Sequence, residues 1–436
     1  MTAAVRSAPS SPTLNGVRKP TVRQRSSHRR LMRDLSALGP PTGRHQPTPL
    51  NAIIVPSIRR AHHLRPVARL AAETGTLLVV LASRDCQIDD VTALVASTTG
   101  CRGLVVEVPE GYGHGYLTYE TSTCTEFQIA NANRQSDLSL KRNIGLLLAR
   151  LLGWPKIMYL DDDIYGIHAG QLAKVSTQLE NYPVTGLVTR QYPDNSVVCH
   201  ANRLSGANQD NFITGSALGV NCTRTPLPFF PDIYNEDWLF FIDHAAAGNL
   251  PCVGEAHQLE YRPFKDPTRA AREEFGDLLA EGLYALISSG DRLSRASDAY
   301  WDVFMAARHR LLVEISGVLG TLETNEALQA LNSIRAAKEQ AAKITPRLCM
   351  AFLEAWRHDR HRFEATVQNL ASVKSYEDAL DILELKNWRS AEFANPDLSR
   401  TPLPMKTRSR ATGRQSGGAD APQRGQRRPA ELVVRR

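Results

Sequence analysis

The chain has 436 residues, 42% of them hydrophobic, and a net charge of +7, enough for one large catalytic domain with an appendage or for two domains with real cores. The charge is uneven: residues 1–50 carry nine Lys/Arg against Asp34, and residues 401–436 carry nine against Asp420 and Glu431, leaving the stretch between them at about −8. Both ends are rich in Pro, Ser, Thr, Gly, Gln and Arg, a composition that cannot offset the entropy of ordering, so 1–48 and 396–436 read as disordered basic tails. Such tails make weak contacts with anionic surfaces, or stay solvated without a fixed partner. No apolar run approaches the roughly 18 residues of a membrane span, and no apolar segment follows the N-terminal positive charges, so neither a transmembrane helix nor a secretory signal is expected. Seven dispersed cysteines with no CxxC pair favour reduced thiols and a cytoplasmic protein.

Order is expected from Pro49. Asn51–Pro56 is a short β-branched run closed by proline, the mark of a buried strand. Leu64–Thr74 has apolar residues at helical spacing, Thr76–Ala82 is a second apolar strand, Gln87–Thr98 a helix and Gly103–Val108 a third strand. Continuously apolar strands alternating with helices indicate an α/β fold with a mostly parallel sheet and helices on both faces. Residues 109–136 read as an irregular excursion. Leu138–Leu152 is a helix broken at Gly153-Trp-Pro155, and Lys156–Leu160 is a fourth strand ending on Asp161-Asp162-Asp163. Further strands are expected at Val184–Arg190, Phe212–Val220 and Cys252–His257. From Asp266 the pattern becomes helical, over 267–287, 297–319, 325–344, 346–370 and 376–385. The expected organisation is therefore 1–48 tail, 49–265 α/β domain, 266–395 helical region and 396–436 tail.

Three consecutive carboxylates after an apolar strand repel one another, and a hard cation such as Mn²⁺ or Mg²⁺ relieves that repulsion with oxygen ligands. In open α/β sheets ligands bind at the C-terminal ends of strands, where this run lies. Strand alternation would turn Asp161 and Asp163 one way and Asp162 the other. The plainer reading is solvated or loop-capping acids, with Asp163 as an N-cap.

Ile53-Ile-Val-Pro-Ser57, Lys141-Arg-Asn-Ile-Gly145 on a helix, Ile157-Met-Tyr-Leu-Asp-Asp-Asp-Ile164 and Tyr234-Asn-Glu-Asp-Trp-Leu-Phe240 together resemble a GT-A fold glycosyltransferase, family 2-like, over residues 50–265. The resemblance implies a nucleotide-sugar donor, an Mn²⁺ or Mg²⁺ cofactor and a hydroxyl acceptor whose identity it leaves open. It implies that Pro56 and Ser57 end the first strand beside the nucleotide and that Arg59 or Arg60 reaches the diphosphate. Asp85 would lie near the base or ribose, and Arg142 and Asn143 against the nucleotide. Asp161 would face the ribose and sugar, Asp162 would flank the donor site, and Asp163 would hold the metal. Glu236 and Asp237 would fall at the acceptor side, with Asp237 the first choice for a general base. His257 is a further candidate metal ligand.

Glycosyl transfer from a sugar nucleotide needs positive charge on the leaving diphosphate and, with inversion, one base for the acceptor hydroxyl. Glu236 and Asp237 would equally suit the N-terminal turn of a helix over 238–246. Gly111-Tyr-Gly-His-Gly115 does not open a helix directly after a strand, so the dinucleotide fingerprint fails. Gly215-Ser216 lacks the glycines of a nucleophile elbow. His358 and His361 suit a solvated helix face. Two other functions compete: a sugar-phosphate nucleotidyltransferase, disfavoured because Pro56-Ser-Ile-Arg-Arg60 stands where a glycine-rich basic loop is needed, and a catalytically inactive GT-A scaffold.

Overall fold

A computed structural model describes residues 28–39, 48–193, 195–208 and 211–393. The disorder expected of most of the two tails falls outside those residues, as do the side chains of the short antiparallel pair β1 (Thr13–Leu14) and β2 (Val17–Arg18). The chain then builds β3 (Arg33–Asp34), β4 (Ala52–Ser57), α1 (Arg65–Thr74), β5 (Leu77–Ala82), α2 (Ile88–Ser97) and β6 (Arg102–Glu107). Two short helices, α3 (Glu120–Thr123) and α4 (Thr125–Ala130), break up the expected irregular stretch before α5 (Leu138–Leu151) and β7 (Lys156–Leu160). Next come β8 (Ile164–Tyr165), α6 (Ala169–Asn181), β9 (Val184–Arg190), α7 (Val197–Leu204), β10 (Ile213–Asn221), α8 (Glu236–Ala246) and β11 (Pro251–Gln258). The C-terminal part holds α9 (Thr268–Ser288), α10 (Asp298–Leu319), α11 (Asn325–Ala341), α12 (Pro346–Asn369), α13 (Tyr376–Ile382) and β12 (Trp388–Glu392).

Ten strands form one sheet in the order β12-β6-β5-β4-β7-β10-β9-β11-β3, with β8 on β11. β3, β4, β5, β6, β7, β9 and β11 run one way, and β8, β10 and β12 run against them. The sheet is mostly parallel and carries helices on both faces, as the apolar strands predict. Alternation along β4 divides the core. Ile53 and Val55 pack with Leu78, Val80 and Met158 against α1, α2 and α6, while Ile54 packs with Val79, Leu104 and Tyr159 against α5, α8, α9 and α12. Each such fully buried Val, Leu or Ile contributes about 1.5–3 kcal/mol, so both faces stabilise the central strands.

Two boundaries differ from the sequence reading. The 28–39 segment is not a disordered tail: β3 adds in parallel to β11, with Arg33 N donating to Leu250 O at 2.9 Å and Leu35 N to Cys252 O at 2.7 Å. Leu31, Met32 and Leu35 pack on the core, so a few apolar residues inside a basic stretch suffice to dock it on an open sheet edge. The 266–395 region is not purely helical either, because β12 pairs antiparallel with β6 at the opposite edge. It is also not a separate body, since α9, α10 and α12 share one core with the sheet. No helix among the described residues is long and apolar enough to cross a membrane. None of the seven cysteines forms a disulfide.

Candidate functional site

The predicted residues converge where β4 and β7 end and α5 begins. The node is Arg142, almost wholly buried. Its Nη2 donates to both oxygens of Asp161 at 3.0 and 3.1 Å, and its Nη1 to Glu236 Oε1 at 2.5 Å. Burial pulls its pKa down, but the carboxylates of Asp161, Glu236 and Asp237 more than offset this and hold it above the ordinary guanidinium range. Two glycines make room for the node. At Gly145 a Cβ would lie 2.9 Å from Tyr159 Oη; without one, α5 lies close to β7 and that hydroxyl donates to Arg142 O at 2.6 Å. At Gly215 a Cβ would lie 2.5 Å from Arg142 Nη1 and 2.9 Å from Asp237 Cβ.

The aspartate run does not alternate as an extended strand would. The chain turns as soon as β7 ends, with Ile164 N donating back to Asp161 O at 3.1 Å. Asp161 is left facing Arg142, while Asp162 and Asp163 both face Arg59. Ser57 Oγ donates to Asp162 Oδ2 at 2.7 Å, Arg59 Nε lies 3.3 Å from Asp162 Oδ1, and Arg59 Nη2 donates to Asp163 Oδ2 at 3.0 Å. Between the two arginines left open by the sequence, Arg59 reaches the run and Arg60 is exposed. His257 stacks edge-on to Tyr165 at 5.5 Å and lies over Gly166. The next residue along β11 contacts the run, with Gln258 Nε2 3.4 Å from Asp163 Oδ2. Gln258 Oε1 is buried without a hydrogen-bond partner.

Glu236 and Asp237 open α8 after Asn235, which takes φ 61°, a left-handed turn that asparagine tolerates better than most residues. The turn points both acids inward. Glu236 is committed to Arg142. Asp237 accepts from Gly215 N at 2.5 Å and from Trp238 N at 2.8 Å. Both acids line a cavity of about 430 Å³ with Arg142, Asp161, Thr214 and Trp238. One wall of the cavity comes from α9 through Arg269, Glu273 and Asp277, and another from the N-terminal segment through His28 and Arg29.

Other predicted residues fall differently. Asn143 is buried with both ends of its amide on the main chain of Phe230, donating to its O and accepting from its N at 2.8 Å each. It braces α5 against the loop before α8. Pro56 is buried inside β4, opposite Leu81. Asp85 is exposed on the loop after β5. Sequence reasoning assigned no role to Lys141, which is buried and donates to Ser57 O at 2.8 Å and Ser83 Oγ at 2.7 Å, with Asp137 at 2.9 Å. It ties the ends of β4 and β5 together. Burial lowers its pKa, opposed by Asp137. The available signal was a lysine at a buried helix position, one residue before Arg142.

The tight fit at residue 215 gives a testable expectation. Gly215→Ala forces a methyl onto a guanidinium pinned by two carboxylates, costing about 1–3 kcal/mol by overpacking. It also pushes on Asp237 Cβ. Thermal unfolding of the purified variant checks the loss of stability.

No protein-family profile matches the chain, and no curated protein does. Among solved structures, a mannosyltransferase from Pyrobaculum calidifontis in complex with GDP-Man and Mn²⁺ is similar, at 15% identity over 78% of this chain and 92% of that one, with a TM-score of 0.30.

Proposed function

We propose that this chain is a metal-dependent glycosyltransferase of the GT-A type, moving a sugar from a nucleotide-diphosphate donor to a hydroxyl acceptor with Asp237 as base. The observation that carries this reading is the arrangement around Arg142. One buried guanidinium joins Asp161, at the end of a parallel strand, to the acids that open α8, beside a cavity large enough for a hydroxylated acceptor. Asp162 and Asp163 lie on the other side with Ser57 and Arg59, at the strand ends where α/β sheets hold ligands.

The division of labour follows from what each group already holds. Glu236 is bound to Arg142 by its carboxylate, whereas Asp237 is held at the cavity wall through the N–H groups of Gly215 and Trp238, and it is the acid assigned to accept the proton. In the reaction the acceptor oxygen forms a bond to the anomeric carbon, the bond from that carbon to the diphosphate oxygen breaks, and the acceptor proton passes to an Asp237 carboxylate oxygen. Direct displacement of this kind inverts the anomeric centre. The donor side suits a hard cation in kind. Asp163 supplies a carboxylate, and Gln258 Oε1 is a buried oxygen with no partner. Arg59, which donates to Asp163, is more than one-third exposed, so its side chain can give way to a cation. Mn²⁺ or Mg²⁺ held there would supply the charge that stabilises the leaving diphosphate.

The test is thermal stabilisation with Mn²⁺ and a panel of UDP-, GDP- and dTDP-sugars, with donor hydrolysis followed in parallel. At least one donor is expected to raise the unfolding temperature only when metal is present, and Asp163→Ala is expected to remove that shift. If no sugar nucleotide stabilises the protein and Asp163→Ala changes nothing, the reading is wrong. Pyrophosphate release from a nucleoside triphosphate and a sugar phosphate would favour the nucleotidyltransferase instead.

A further inference from the structure

Beyond the aspartate run, three metal-binding side chains meet where α7 and α9 come together, and a fourth from the N-terminal segment lies beside one of them. Cys199 Sγ, an Asp277 oxygen and a Glu281 oxygen lie within 4.8 Å of one another, and all three residues are buried. His28 is buried beside them with Nε2 3.4 Å from Glu281 Oε2. We propose that this corner is a second metal site that takes a borderline-soft divalent cation, Zn²⁺, with His28, Cys199, Asp277 and Glu281 as its four ligands. The proposal concerns a different part of the molecule from the aspartate run and stands whether or not the transferase reading holds.

The local structure explains why these four meet. Asp277 and Glu281 are four residues apart on α9, so they project from one face of the helix one turn apart. Cys199 lies in the first turn of α7, its N–H donating to the capping Ser196 Oγ at 3.2 Å. His28 is held by three rings in edge-on contact, Phe212 at 6.1 Å and Trp238 and Tyr284 at 5.3 Å each. Its Nδ1 lies 3.4 Å from Ser288 Oγ, the outer contact that commonly fixes the tautomer and orientation of a ligating imidazole.

The donor set selects the ion. One thiolate, one imidazole and two carboxylates suit tetrahedral zinc, whereas magnesium and manganese prefer all-oxygen sites. Ligand atoms around such a zinc stand roughly 3.3–3.8 Å apart. The His28–Glu281 separation already matches; Cys199, Asp277 and Glu281 need to close by about an ångström, and His28 has to swing towards Cys199 and Asp277, movements that side-chain torsions supply. Asp277 is also held by Arg308 at 2.7 Å and Ser196 at 3.1 Å on Oδ2, and by Asn235 at 3.3 Å on Oδ1. These contacts orient it without using every lone pair of the carboxylate. The consequence is structural. His28 is the one ligand from the N-terminal segment, so the metal would fasten that segment to α7 and α9 at the wall of the cavity that holds Asp237.

The experiment measures metal in the full chain, purified without chelator or added metal, by plasma mass spectrometry. About one zinc per chain is expected in the wild type and in Asp163→Asn, falling to roughly a tenth or less in Cys199→Ala and Glu281→Gln. A wild-type chain that holds no zinc and takes up none from an equimolar supply overturns the proposal, and so does full zinc retention in Cys199→Ala. Should the variants not fold, replacing the metal in the wild type with Co²⁺ decides it. A thiolate-to-cobalt charge-transfer band in the near ultraviolet supports the site, and a cobalt spectrum without that band sinks it.

Discussion

Asp237→Asn is expected to lower glycosyl transfer by about 10²–10⁴-fold, the contribution of a positioned general base, while leaving donor binding and the fold in place. The substitution is nearly isosteric. The asparagine oxygen can still accept from Gly215 N, and Trp238 N, which loses its acceptor on residue 237, keeps its bond to Asn235 O at 3.1 Å, so the turn at Asn235 and the start of α8 hold with at most a small loss of stability. What is lost is the capacity to take a proton at the wall of the cavity. The effect should therefore fall on kcat with the acceptor KM little changed, the pattern of an interaction made in the transition state. Thermal stabilisation by Mn²⁺ and the donor should survive, since Asp163, Ser57 and Arg59 lie on the far side of Asp161. Glu236→Gln provides the contrast. It weakens one arm of the Arg142 node, so it should lower stability as well as turnover. If Asp237→Asn transfers sugar at the wild-type rate while Glu236→Gln does not, the base has been misassigned.

Much of this was legible in the sequence because hydrophobic period is a local signal. The runs at 51–56, 76–82 and 103–108 became β4, β5 and β6 within a residue or two, since each must be apolar on both faces of a covered parallel sheet. The helix expected over 346–370 is α12, Pro346–Asn369, because proline at its start and an amphipathic pattern mark it plainly. The misses share a cause: they depend on partners distant in sequence. β3 and β12 are short edge strands whose only argument for being strands is the free edge of β11 or β6. α6 carried a readable spacing in Leu172, Val175 and Leu179, but its other residues are polar or small. At the site, the residue types were visible and their orientations were not. The turn after Leu160 sent Asp162 and Asp163 to the same arginine, and β11 put Gln258, a residue no motif singled out, beside Asp163. Asn143 fell in the expected helix but spends its amide on Phe230. A linear motif carries no information about which way a side chain faces once the strand has ended.

Arg142→Met should be the most damaging single substitution in the site. The methionine fills much of the same volume but strands two acids, Glu236 and the half-buried Asp161, without their counter-charge. Removing one partner from a buried ion pair costs about 3–5 kcal/mol, mostly the penalty of leaving the other charge uncompensated. In a protein of this size that corresponds to a fall in unfolding temperature on the order of 10 °C. Activity should be lost as well, because Asp161 and the start of α8 are no longer held in register across the crevice. Arg142→Lys should recover little of either. A single ammonium cannot reproduce the fork that reaches both oxygens of Asp161 through Nη2 and Glu236 through Nη1. The double variant Arg142→Met with Glu236→Gln separates the two roles. It removes the more deeply buried of the orphaned charges, so it should regain part of the lost unfolding temperature relative to Arg142→Met. Turnover should stay low, because the link between β7 and α8 is still missing. Calorimetry of the three variants beside the wild type tests this ordering. A double variant no more stable than Arg142→Met would show that the guanidinium acts by packing, and that its charge contributes nothing to the stability of the node.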